Sequence, residues 1–94
     1  MMLRPEAEVD LVHARGWYER QRAGLGMAFL LCVEEVLERI DRTPEFYAVV
    51  YRDVRRAFTR RFPYAVYYRI EGHEVVVLGI LHTRRDPREW QSRA

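Results

Sequence analysis

The chain contains no lysine. Its 16 basic residues, among 94 in all, are arginines, so its positive charge comes as a planar fork that suits carboxylate or phosphate and sheds water more easily than an ammonium. A codon bias toward arginine accounts for the composition, and the clustering is the informative part. Cysteine is nearly absent too: Cys32 alone excludes an internal disulfide framework and, with only three histidines, makes a cysteine-rich zinc site implausible. It lies in a helical apolar pattern and reads as a small core residue. No apolar run approaches the roughly 20 residues of a membrane span, and no basic start leads into a signal-like stretch. A soluble cytoplasmic protein without a membrane partner is expected.

What is present is apolar and aromatic enough, at 49% and 13%, to exclude a disordered chain. The length suits a single domain, 1–94, with one core. The net charge of +2 conceals an asymmetry: residues 1–38 hold 4 arginines against 7 acids (−3), and residues 39–94 hold 12 against 7 (+5). The basic half is also the half that reads as a sheet.

Met1 to Arg4 offers only a stub of strand before Pro5. Ala7, Leu11, Ala14 and Tyr18 then fall on one helical stripe, with Pro5 near the first turn and Glu6, Glu8 and Asp10 placed to suit the helix dipole. This helix is expected to end near Arg20 to Arg22. Ala23-Gly-Leu-Gly26 is short enough to force an antiparallel helix hairpin. The second helix is expected from Met27 to Arg42, with Phe29, Val33, Val36 and Ile40 buried and Thr43-Pro44 as its stop.

Glu45 to Asp53 reads as an apolar connector or short strand. A strand follows over Val54 to Arg61, and arginines on both its faces argue that it lies at an edge or lines a solvated surface. Tyr64 to Ile70 resumes the sheet, with Tyr64, Val66, Tyr68 and Ile70 toward the core, which leaves Tyr67 as a surface aromatic. Gly72-His73 marks a tight hairpin. Val75 to Leu81 is apolar on both faces and reads as a central strand covered on both sides, or by a partner on one, and the sheet's surplus apolar face is a candidate partner surface. Pro87 opens a helical turn ending at Trp90. Trp17 and Trp90 are both expected at helix–sheet contacts, and Arg85-Asp86 as a local ion pair. The fold class is α+β: an N-terminal antiparallel helix hairpin packed on a three- to four-stranded antiparallel sheet with a truncated first strand.

Several segments in this order carry a resemblance. Pro-Glu-Ala-Glu-Val-Asp-Leu opens the first helix, and Gly-Leu-Gly-Met-Ala-Phe opens the second, which Arg-Ile-Asp-Arg-Thr-Pro-Glu closes. Arg55-Arg56, Phe62-Pro63-Tyr-Ala-Val-Tyr-Tyr-Arg69 and Val-Leu-Gly-Ile-Leu-His82-Thr-Arg-Arg-Asp-Pro-Arg-Glu-Trp90 complete the set. Together they resemble the RelE/ParE superfamily, the toxins of bacterial type II toxin–antitoxin pairs of plasmid-stabilisation type. The resemblance implies a cognate antitoxin, operator DNA bound only through the antitoxin complex, and neither cofactor nor metal. It leaves a homodimer open.

The superfamily divides between ribosome-dependent mRNA endonucleases and poisons of DNA gyrase. The nucleases place an arginine just after the aromatic that opens the third strand, where this chain has Ala65 after Tyr64. The nucleases' C-terminal tyrosine corresponds to Trp90, which can stack but has no phenolic oxygen. Those departures favour a toxin that binds its target, ParE-like, with DNA gyrase as that target. Arg55, Arg56, Arg60, Arg61, Tyr67, Arg84, Arg85 and Trp90 are then the target- or antitoxin-binding candidates. For the alternative, an mRNA endonuclease, His82 has the chemistry of a proton donor or acceptor, and Arg60, Arg61 and Arg85 could neutralise phosphate. A third reading is a degenerate antitoxin-binding module without toxicity.

Overall fold

The structure, a computed structural model, describes residues 1–94. A two-residue strand, β1 (Met2–Leu3), leads into α1 (Pro5–Gln21) and α2 (Leu25–Arg42). Then come β2 (Val49–Tyr51), β3 (Val54–Phe58), β4 (Tyr64–Glu71), β5 (Glu74–His82) and a short α3 (Pro87–Gln91). One five-stranded sheet has the order β1-β5-β4-β3-β2, and every pairing is antiparallel except β1 with β5. The α+β expectation holds, with two corrections. The stretch read as a connector or short strand supplies an edge strand, β2, so the sheet has five strands where three to four were expected and β3 lies inside it. β3 ends at Phe58 rather than Arg61, and Arg61 takes a left-handed φ of 72°.

The helix hairpin is closed by Glu19. Its carboxylate accepts from the N–H of Gly24 and of Gly26, at 3.1 and 3.0 Å, and thereby caps the first turn of α2 from the neighbouring helix. Those two bonds hold the Glu19 carboxyl below its ordinary pKa. Gly26 is required by close approach, since a Cβ there would stand 2.8 Å from the Arg15 carbonyl oxygen. Phe29, Val33, Val36 and Ile40 are fully buried, as their spacing predicts. With Ala7, Ala14, Tyr18, Val66, Tyr68, Val77 and Ile80 they form the main core between helices and sheet. Each such aliphatic side chain stabilises the fold by about 1.5–3 kcal/mol relative to exposure.

A second core fills the opposite face of the sheet, where Val54, Ala65, Tyr67, Val76, Leu78 and Leu81 pack around Trp90 of α3. This corrects two expectations. Tyr67, read as a surface aromatic, is 3% exposed and stacks on the Trp90 ring at 4.5 Å between centroids. The surplus apolar face of β5 is likewise covered by the chain itself. Asp86 caps α3 by accepting from the Arg88 N–H, with Pro87 in the first turn. Trp17, expected at a helix–sheet contact, is 51% exposed and touches Tyr18 edge-on.

β5 carries a bulge. Tyr67 pairs with Gly79 and Tyr68 with Val77, which leaves Leu78 as the additional residue. β1 pairs only with Val76 and Val77 and then turns away into α1. Beyond it, the Ile80 N–H donates to Asp10 and the Leu78 carbonyl accepts from Arg93. Side chains thus continue the edge that the short strand begins. The β4–β5 hairpin turns at Gly72 with φ of 63°, as expected from the sequence.

Candidate functional site

Pairing of Tyr64 with His82, and donation by the Thr83 N–H to the Pro63 carbonyl at 2.9 Å, bring the loop before β4 beside the turn after β5. Arg60, Arg61, His82, Arg84 and Arg85 therefore gather at one end of the sheet although they are about twenty residues apart in sequence. Their charges are held differently. Arg60 is 72% exposed and reaches Glu35 at 3.4 Å. Arg61 lies over the Phe62 ring. Arg84 is exposed and makes no ion pair. Arg85 pairs with Glu89 through two bonds of 3.1 and 2.7 Å, which raise its pKa, while Asp86 pairs with Arg88. The expected Arg85-Asp86 pair is replaced by these two, because the turn of α3 puts each arginine within reach of a different acid.

Arg55 and Arg56, neighbours in sequence, part company on β3. Arg55 turns to the helix side, where its Nη1 donates to the carbonyls of Glu45 and Tyr47 at 2.9 and 2.8 Å, and so it holds the loop after α2. Arg56 lies on the other face, its guanidinium 4.8 Å from the centre of the Phe58 ring. Phe58 is 53% exposed. Sequence reasoning passed over Phe58, although its shared parity with Arg56 was the available signal: an aromatic alternating with arginine on one face of a strand. The exposed part of the site is thus Phe58, Arg60, Arg61, Arg84 and Arg85, with Arg56 half-buried and Tyr67 and Trp90 buried beneath.

His82 is committed by its hydrogen bonds. Its Nδ1 accepts from the Arg84 N–H at 3.0 Å, so in the neutral ring the proton belongs on Nε2. In that state Nε2–H can donate a hydrogen bond and cannot accept a proton. The ring also meets Tyr64 edge-on at 5.4 Å. Burial pushes the Tyr64 phenol up, Arg85 draws it back, and Asp10 adds to the rise. Ala65 is fully buried in the second core. No group of three or more His, Cys, Asp or Glu side chains converges on a point that could hold a metal.

On the helix side of the same end, a groove of about 300 Å³ runs between α1 and the edge of β5, past His13, Trp17, Arg20, Tyr64 and Arg85. The outer face of α1 continues it with Val9 and Val12, 51% and 68% exposed. No helix is long and apolar enough to cross a membrane.

A helix hairpin on a mostly antiparallel five-stranded sheet, with an arginine-rich end and a covered second face, defines a small α+β protein. Residues 1–87 match the family described as ParE toxin of type II toxin-antitoxin system, parDE, and the chain belongs to that family. Among solved structures, it is similar to a chain of a chromosomal ParDE toxin–antitoxin system from P. aeruginosa, with 18% identity and a TM-score of 0.66. The match spans 86% of this chain and 91% of that one. No curated relative matches the sequence.

Proposed function

We propose that this ParE-family toxin arrests growth by binding DNA gyrase, and that a ParD-type antitoxin restrains it by covering its exposed surfaces. The observation that carries this reading is the state of His82. Cleavage of RNA through its 2′-hydroxyl needs a base, and the one imidazole at the arginine-rich end has its accepting nitrogen occupied by a backbone N–H. The position at which the superfamily's nucleases place an arginine is Ala65, buried against the sheet's second core. The same end offers exposed arginines around Phe58, the residue types that anchor protein interfaces. The outer face of α1, with Val9, Val12 and Trp17, suits the apolar side of an antitoxin segment.

Induced expression in a bacterial host tests the reading, with growth, bulk protein synthesis and the DNA damage response followed in parallel. The expected result is filamentation and a damage response while translation continues, together with inhibition of purified gyrase. Early loss of translation, with cut mRNA that His82→Ala prevents, would establish the endonuclease instead. Growth without any change would leave a degenerate antitoxin-binding module.

A further inference from the structure

Arg39 has donors that nothing in the protein accepts. Its Nε and Nη2 are closed off from solvent and without an acceptor, the two side-chain atoms of the molecule in that condition. The nearest carboxylate, Glu35, lies 3.9 Å from Nε, beyond hydrogen-bonding reach, and stands closer to Arg60 at 3.4 Å. An unmatched buried donor lowers stability, and more so on a charged group.

The same arginine lines a pocket of about 440 Å³ at the C-terminal end of α2, with Arg42, Thr43, Phe46 and Tyr47. The loop that forms its wall is pinned from beneath. Arg55 holds the Glu45 and Tyr47 carbonyls, and the Tyr68 hydroxyl donates to the Pro44 carbonyl. Phe46 stands edge-on to Tyr47 and is 79% exposed. The pocket therefore combines two guanidiniums, one of them with unmet donors, and an uncovered aromatic wall. It shares no residue with the arginine-rich end of the sheet.

We propose that this pocket binds an acidic side chain of a partner peptide, whose carboxylate meets Arg39 and Arg42 while an adjacent apolar residue lies on Phe46 and Tyr47. Entry requires the Arg39 guanidinium to swing toward the opening, a rotamer step that its present lack of acceptors does not oppose. A carboxylate fits better than a phosphate dianion. The site lies at the negative end of the α2 dipole, which disfavours a second negative charge.

Titration with N-acetyl-Glu-Phe-amide, followed by nitrogen-15 NMR, tests the site, with Arg39→Met used to assign the Arg39 Nε–H resonance. The expected result is a saturable shift of that resonance and of the Thr43, Phe46 and Tyr47 amides, with binding at least about tenfold weaker for the Gln-Phe counterpart. No saturable shift, equal binding of the Gln peptide, or equal binding of inorganic phosphate would overturn the proposal. Arg39→Met also removes the unmatched donors, so it should raise Tm while abolishing peptide binding. A lowered Tm or retained binding in that variant counts against the assignment.

Discussion

Asp10 and Arg93, 83 residues apart in the chain, meet at 2.6 Å beside the edge of β5 and complete the sheet where β1 stops. The Asp10 carboxylate takes the Ile80 N–H and Arg93 supplies a donor to the Leu78 carbonyl, so the pair does the hydrogen bonding of one further residue pair of strand. Gly79 is the reason Arg93 can approach, since a Cβ there would lie 2.8 Å from its Nη1. The two side chains are only 11% and 19% exposed, so solvent screens them little. Asp10→Ala strands both a backbone donor and a partly buried guanidinium. The expected loss is about 2–3 kcal/mol, or roughly 10–20 °C in Tm for a domain of this size. The double variant with Arg93→Ala should lose less than the sum of the two, as measured by thermal unfolding.

Trp90 carries the second core. Trp90→Ala removes the ring that stacks on Tyr67 and closes Ala65 and Leu78 from solvent, at an expected cost of about 3–5 kcal/mol. Trp90→Phe keeps a ring on Tyr67 and should cost less than half as much. Urea unfolding of the two variants checks the order.

Tyr68 links β4 to the loop after α2 through its hydroxyl and the Pro44 carbonyl. Burial pushes its phenol up to about 12. In the unfolded chain the phenol ionises near 10, so its contribution is present in full below that pH and is lost as pH rises from 10 through 12. Tyr68→Phe should lower stability near neutrality by about 1 kcal/mol. It should also flatten the decline of Tm between pH 10 and 12.

Phe58 and Arg84 offer a functional test separable from folding. Both are exposed, and Arg84 makes no ion pair. Phe58→Ala and Arg84→Glu should each change stability by less than about 0.5 kcal/mol. Both should weaken growth arrest and gyrase inhibition together. Full arrest by both variants would move the target contact away from this end of the sheet.

The helices were legible in the sequence because their cause is local. Pro5 fixes a start, Phe29, Val33, Val36 and Ile40 recur at helical spacing, and Thr43-Pro44 provides a stop. The β4–β5 hairpin was legible for the same reason, through Gly72. Alternation puts Tyr67 on the face it occupies but says nothing about what covers that face, and α3 arrives from beyond the sheet. Asp10 read as a helix-dipole acid because its role depends on Ile80 and Arg93, which only the tertiary fold brings near. The arginine clusters were visible as charge, whereas their division into tethered Arg55 and Arg85 and free Arg84 follows from partners on other elements.

The strand order places β5, the last strand along the chain, between β1, the first, and β4. In terms of synthesis, β1 has no strand to pair with and α1 no edge to rest on until β5 has left the ribosome. Contacts between the two ends of a sequence form late and slow folding. The helix hairpin, complete at Arg42, therefore waits with its inner face uncovered until β4 and β5 have followed it.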